Sequence, residues 1–254
     1  MTGFEAGILG IVEGLTEFLP VSSTGHLILA SKLLHLPQTD AHKVFEVVIQ
    51  LGAILAVACL YWRKLVARSD LLLKLAVGFL PTGIIGLTLY KLVKDLFDPS
   101  VVSISLIVGG LVFFVVEYYL KDHKPAVHDA GDVSYRTAFT IGLVQCLAMV
   151  PGVSRSGATI IGGLFCGMDR SAAAEFSFLL ALPTMLAATC YDVYKNVSAF
   201  HGGDWNNLLI GFIVSFIFAI IGIKMLIRLV ANHTFIPFGV YRIIAGALFL
   251  MLVL

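Results

Sequence analysis

Apolar runs interrupted at two places by the same polar pattern organise this chain. Five or six segments approach the ~20 residues that a helix needs to cross a hydrocarbon core. They lie at 41–61, 71–93, 100–120, 171–194, 208–230 and 236–254. Two further regions, 3–36 and 134–168, each hold an apolar helical run, a Pro/Gly/Ser break, and a second run too short to span. Backbone that breaks at membrane depth survives only where protein or a wet cavity surrounds it. Both regions therefore predict re-entrant hairpins, with tips at 20–25 and 151–157.

The halves align. Val21-Ser22-Ser23-Thr24-Gly25 matches Val153-Ser154-Arg155-Ser156-Gly157, an offset of 132 (Val21 onto Val153) that also carries Glu13 onto Gln145. Phe45-Glu46-Val47 resembles Glu175-Phe176-Ser177 after a small shift, and Phe97-Asp98-Pro99 through Gly109 resembles Phe235-Ile236-Pro237 through Gly246. The expected fold is a single all-α membrane domain, 1–254, with six spans and two re-entrant hairpins. Repeat 1 covers about 1–120 and repeat 2 about 134–254. One hairpin plus three spans reverses the second half relative to the first. Inverted repeats of this kind place binding sites near the midplane, at the repeat interface.

Composition agrees: 59% of residues are hydrophobic and 13% charged, with a mean hydropathy of +0.96, whereas soluble domains are about a quarter charged. A net charge of +1 makes no case for nucleic acid. The four cysteines, Cys59, Cys146, Cys166 and Cys190, lack metal-ligand spacing and read as small core hydrophobes. No basic n-region or cleavage site marks a signal peptide. With the N-terminus outside, Arg63, Lys64, Arg68, Lys74, Lys121, Lys124, Arg136, Arg170, Lys224 and Arg228 fall inside. Only Lys32, Lys43, Lys91, Lys94 and Lys195 then fall outside. This bias predicts both termini outside. Arg155, at a tip, and Arg242, within the last span, are left uncounted.

The tips hold the chemistry. Glu13 and Glu17 are spaced i, i+4 on one helix face. Such a pair can hold a divalent cation, share a proton or brace an arginine; its plainer reading is an ion pair closing a helix interface. Ser22, Ser23 and Thr24 precede a helix whose free N–H groups suit a phosphate, with a simple N-cap as the alternative for Ser22. His26 lies one turn after Ser23, placed to serve as general base or acid. Ser154-Arg155-Ser156-Gly157-Ala158-Thr159 repeats the arrangement with a guanidinium added, which forks onto phosphate oxygens. Glu46 and Gln50, with Gln145 and Glu175, are secondary pocket candidates, equally explained by helix-to-helix hydrogen bonds. Asp192, Tyr194 and Asp204 read as interfacial.

Glu13-Gly-Leu-Thr-Glu17-Phe-Leu-Pro-Val-Ser-Ser-Thr-Gly-His26 and Pro151-Gly-Val-Ser-Arg-Ser-Gly-Ala-Thr159 closely resemble the two signature motifs of the bacterial undecaprenyl-diphosphatases. This is the integral-membrane family associated with bacitracin resistance. Phe45-Glu-Val-Val-Ile-Gln-Leu-Gly52, Glu175-Phe-Ser-Phe-Leu-Leu-Ala181 and Phe235-Ile-Pro-Phe238 are similar to it too, so the likeness spans nearly the whole chain. The resemblance implies hydrolysis of undecaprenyl diphosphate to the monophosphate, recycling the lipid carrier of peptidoglycan synthesis at the bacterial inner membrane. It also implies a divalent cation, Mg²⁺ or Ca²⁺, and a pocket facing the periplasm. The implied partners are the lipid and the bilayer, with a homodimer left open. By motif position its functional residues fall on Glu13, Glu17, Ser23, His26, Ser154, Arg155 and Thr159. Relatives are expected to carry a longer loop near Arg68 to Leu71.

Inverted repeats also build transporters, so a carrier or flippase for a lipid phosphate is the competing class. Binding phosphate requires Arg155 and the helix N-termini; it does not require the Glu13, Glu17, Ser23 and His26 cluster. That surplus of acid–base groups favours the enzyme. The expected mechanism has Ser23 attack the terminal phosphorus with His26 accepting its proton. The rival is a metal-bound water, with Ser23 only hydrogen-bonding a phosphate oxygen.

Overall fold

The computed structural model of the chain describes residues 1–37, 39–96, 98–121, 124–195 and 205–253. Ten helices account for most of it: α1 (Gly3–Thr16), α2 (Ser23–Leu33), α3 (Asp40–Ala67), α4 (Ser69–Asp95) and α5 (Pro99–Leu120), then α6 (Tyr135–Gln145), α7 (Arg155–Phe165), α8 (Arg170–Lys195), α9 (Trp205–Val230) and α10 (Ile236–Val253). Single turns of 3₁₀ helix sit at Ala130–Asp132 and Cys146–Met149. Among the described residues the only β-type pairing is an isolated bridge between Val127 and Met168.

The chain is an all-α membrane protein. Helices α3, α4, α5, α8 and α9 are long and apolar enough to cross a bilayer. The sixth expected crossing, α10, is an apolar helix of 18 residues, at the short end of what a bilayer needs. Leu254 and Phe97, which those expectations included, lie outside the described residues, as do Asp204 and the side chain of Asp192; Tyr194 is exposed. The expected hairpin regions each form two short helices: α1 has 14 residues, and α2, α6 and α7 have 11 each. At 1.5 Å per residue these reach only ~16–21 Å, against a ~30 Å core. None can cross.

Local sequence starts each element. Thr2 and Glu5 form a capping box on α1, and the side chains of Thr39 and Ser134 accept from His42 and Thr137 N–H groups at the heads of α3 and α6. Asp98 accepts from the Ser100 N–H with Pro99 following as first helical residue. That backbone hydrogen bond holds its carboxyl below the usual range. Arg68 alone separates α3 from α4.

Large apolar residues face outward as well as inward. On α9, Leu209, Ile213, Ile217 and Ile221 repeat every four residues and all are exposed, so they form a single apolar stripe facing outward. The inward face of the same helix carries Gly211, Ser215, Ala219 and Gly222, all buried. In lipid, association rests on close packing of small residues. A Cβ on Gly10 would come within 2.7 Å of Gly211 O, where α1 crosses α9. A Cβ on Gly142 would come within 2.0 Å of Gly78 O, where α6 crosses α4. Gly10 and Gly142 are themselves 132 residues apart. Two of the cysteines expected in the core are not there: Cys59 and Cys190 are exposed, with Cys146 and Cys166 half-buried.

Several charges form one cluster. Lys64, near the end of α3, bonds Asp129 at 3.0 Å and Glu175 at 2.8 Å. Arg68 bonds Asp132 at 2.9 Å. Arg170 at the head of α8 pairs with Glu117 near the end of α5, whose carboxylate also accepts from Phe235 N–H at the head of α10. Glu175, a pocket candidate by sequence, is thus part of this terminal network.

Gly142→Val should lower the thermal midpoint of the detergent-solubilised protein, costing about 1–3 kcal/mol as for an overpacked contact. A midpoint equal to that of the parent would show that α4 and α6 do not need this approach.

Candidate active site

Both tips begin their second helix with a strained residue. Ser22 has φ 72° and Ser154 has φ 77°, two of the three non-glycine residues with positive φ among those described. They are 132 residues apart. Positive φ is costly for serine and persists only where surrounding contacts impose it. The conformation turns the chain sharply, so that α2 opens at Ser23 and α7 at Arg155 with their first-turn N–H groups converging on the tips. Ser22 occupies the N-cap position of α2, but its side chain makes no capping bond. Ser154 makes one, accepting from Gly157 N–H at 3.1 Å.

Glu17 joins the two tips. Ser23 Oγ donates to Glu17 Oε2 in a buried hydrogen bond. Arg155 Nη2 donates to Glu17 Oε1 at 3.0 Å, across 138 residues of sequence. The same guanidinium donates through Nη1 to Ser177 O on α8 at 2.9 Å and lies over the Phe18 ring. Its Nε is buried without a partner among the described residues. The geometry thus sets a serine hydroxyl, a carboxylate and a guanidinium in one chain.

His26 departs from expectation. Its Nδ1 lies 2.8 Å from Ser22 O, and its Nε2 lies 2.6 Å from Tyr241 Oη on α10. A carbonyl only accepts, so Nδ1 carries the proton and Nε2 accepts from the tyrosine hydroxyl. The two rings stack at 5.5 Å. The expected proton link from Ser23 to His26 is therefore replaced: the serine hydroxyl donates to Glu17.

Glu13 is fully buried, and both carboxylate oxygens are without a partner among the described residues. An orphaned buried carboxylate beside Glu17 suits a hard cation such as Mg²⁺ or Ca²⁺, which takes one or two carboxylates and completes its shell with substrate oxygens. Glu17, the second expected ligand, already has both oxygens engaged by Ser23 and Arg155.

The other expected phosphate contacts divide. Thr24 is half-buried on the first turn of α2. Ser156 and Thr159 point inward: Ser156 Oγ donates to Leu19 O of the opposite tip at 2.9 Å, and Thr159 Oγ1 lies 2.6 Å from Ser177 Oγ. They brace the tips rather than line them. Of the secondary candidates, Glu46 lies within electrostatic reach of Glu13, while Gln145 and Glu175 bond elsewhere. Gln145 donates to Thr82 Oγ1 at 2.8 Å and to Thr184 Oγ1 at 3.3 Å, each threonine following a mid-helix proline. Glu46 sits 3.4 Å from His42 Nε2, which bonds Ser31 at 3.0 Å, and Gln50 is half-buried one turn further along α3. Glu175 pairs with Lys64, as described above.

Two contributors were missed. Tyr241 and Arg242 lie in an apolar helix that reads as a plain span, yet one holds His26 and the other contacts both tips. An arginine alone in an apolar run was the available signal; nothing in the local pattern marked the tyrosine.

A family model described as bacitracin resistance protein BacA matches residues 6–248. An undecaprenyl-diphosphatase of Persephonella marina is 60% identical over 250 residues, covering 98% of each chain. One of Sulfurihydrogenibium sp. is 57% identical over 249 residues, also 98% of each. One of Campylobacter fetus is 53% identical over 259 residues, the full length of both.

Ser156→Ala removes the hydroxyl that ties the second tip to Leu19 O. A lower thermal midpoint is expected, worth roughly 0.5–1.5 kcal/mol for one lost hydrogen bond, since Leu19 O still accepts from Val21 N–H. An unchanged midpoint would show that the tips do not depend on this tie.

Proposed function

This chain belongs to the bacitracin resistance protein BacA family, and from that premise we propose how its tips work. It is a membrane-embedded phosphatase that hydrolyses undecaprenyl diphosphate to undecaprenyl phosphate and inorganic phosphate, returning the lipid carrier to cell-wall synthesis. The single observation that carries the mechanism is the buried chain Ser23–Glu17–Arg155, closed between the two tips. A carrier would need the guanidinium but not a serine poised on a carboxylate.

Ser23 is the nucleophile and Glu17 its proton acceptor. A serine hydroxyl is weak unless an adjacent base takes its proton, and Glu17 Oε2 is the group that hydroxyl already donates to. As Oγ attacks the terminal phosphorus, the Oγ–P bond forms and the proton passes to Glu17. The bond from that phosphorus to the bridging oxygen breaks, and its electron pair leaves with undecaprenyl phosphate. Water then attacks the phosphoserine, the P–Oγ bond breaks, and the serine oxygen takes back its proton from Glu17. Arg155 stabilises the charge that develops on the phosphoryl oxygens, with its free Nε toward an incoming oxygen. The first-turn N–H groups of α2 and α7 supply further donors. His26, neutral at Nε2 once Tyr241 yields to substrate, takes the proton of the attacking water.

A divalent cation, Mg²⁺ or Ca²⁺, would be held by Glu13, with Glu17 adjoining. When bound it neutralises the diphosphate charge. The two halves are an inverted repeat, supported by the paired crossings of α1 on α9 and α6 on α4. The protein lies in the inner membrane with both termini outside and the tips open to the periplasm, as the basic-residue bias favours.

Ser23→Ala should lose nearly all phosphate release from the diphosphate lipid in detergent, and acid quench of a single turnover should trap phosphoserine at position 23. Absence of that adduct, with substantial activity in Ser23→Ala, would transfer the attack to water. Arg155→Lys keeps the charge and loses the fork, so turnover should fall by roughly one to three orders of magnitude. Chelation with EDTA should abolish activity and added Mg²⁺ or Ca²⁺ restore it; full activity in excess EDTA would leave Glu13 without a metal.

A further inference from the structure

Arg242 is the largest wholly buried side chain among the described residues, at 1% exposure. No carboxylate there pairs with it. Instead it donates to four backbone carbonyls: Nη1 to Pro20 O at 3.0 Å, Nη2 to Gly152 O at 2.9 Å and Ser105 O at 3.2 Å, and Nε to Leu106 O at 3.3 Å. Pro20 and Gly152 are equivalent positions, separated by the same 132 residues that align the tips. One guanidinium from α10 therefore grips the matching carbonyl of each tip and fastens both to α5.

Two features show the site to be built for this group. A Cβ on Gly109 of α5 would lie 2.1 Å from Arg242 Nη2, so a side chain there excludes the guanidinium. A Cβ on Gly157, in the first turn of α7, would lie 3.5 Å from Nη1, which puts the group beside the helix that carries Arg155. Carbonyls at a tip have no helical donor, and in hydrocarbon no water replaces one. A planar fork reaches acceptors on separate segments at fixed angles, which an ammonium does not.

We propose that Arg242 is a positioning residue for the reaction: it sets the separation of the two tips and so holds Ser23 of one against Glu17 and Arg155. The proposal rests on the phosphatase reading of those tips. Arg242 touches neither Ser23 nor Arg155; it acts through the backbone, three residues before each. A displacement of about 1 Å at a reacting centre can cost a hundredfold in rate.

The test combines kinetics with a distance. Gly109→Ala displaces the guanidinium without altering either tip or any charge, and Arg242→Lys keeps the charge without the fork. Both should lower kcat roughly ten- to a hundredfold while KM for the lipid stays within about twofold, since binding contacts are untouched. Nitroxide labels at Leu19→Cys and Val153→Cys, with the four native cysteines replaced, should give a narrow distance distribution in the parent and a broad one in both variants. A purely structural role predicts kcat per folded molecule unchanged, and overturns the proposal. So does lost turnover with an unbroadened distance, which would assign Arg242 a direct charge effect, or a broadened distance with normal turnover. If the unmodified protein releases no phosphate, the phosphatase reading fails, and the label widths alone decide whether Arg242 clasps the tips.

Discussion

Backbone that leaves a helix inside a bilayer must find its hydrogen bonds within the protein, and the arrangement of this molecule follows from that constraint. The two tips stop being helical for a few residues, and each such carbonyl or N–H needs a partner. Arg242 supplies donors to Pro20 O and Gly152 O, and Ser156 supplies one to Leu19 O. The tips can exist only because they meet each other and α10. A site that requires both halves is thereby assembled by the same contacts that let the chain break at all. Ser22 and Ser154, held at positive φ, show that this mutual bracing is strong enough to impose an unfavourable backbone on each side.

Within that frame Glu17 carries two duties with one carboxylate. A buried ion pair is weak evidence for stability, because desolvation offsets much of the attraction. The pair Glu17–Arg155 is better understood as orientation: the guanidinium is fixed by Glu17 on one side and Ser177 O on the other, with Nε unpartnered among the described residues. The opposite oxygen of Glu17 faces Ser23. The same carboxylate thus bonds the guanidinium and the serine hydroxyl at once. Glu13, one turn earlier, has neither carboxylate oxygen hydrogen-bonded among the described residues.

The rest of the fold keeps those groups dry and still. Outward stripes such as Leu209, Ile213, Ile217 and Ile221 meet lipid, while glycine pairs bring helix backbones into contact around the hairpins. One cluster of charged residues, Lys64, Arg68, Asp129, Asp132, Glu117 and Arg170, ties α3, α5, α8 and the intervening segment together. That network and the tips are separate: Glu175 begins the same helix that offers Ser177 to Arg155, yet its carboxylate turns to Lys64.

By itself the sequence determined the long apolar helices, the two interrupted hairpins and the residues at their tips. These depend on short-range quantities, namely the length of an apolar run, the breaking power of Pro and Gly, and a repeat readable as an offset of 132. It also listed Ser23, Glu17, His26 and Arg155 as one constellation. Which of them touch was decided only by tertiary structure. Ser23 lies six residues after Glu17 and three before His26, and local helix geometry favours the histidine; the positive φ at Ser22 redirects α2 and gives the hydroxyl to the glutamate. Gln145 and Glu175 look like pocket residues along the chain, but helix rotation turns them toward Thr82 and Lys64. Arg242, within the last span, has no place in the sequence pattern. Its partners lie up to 222 residues away and are backbone carbonyls, which every residue possesses, so no side-chain pattern could announce them.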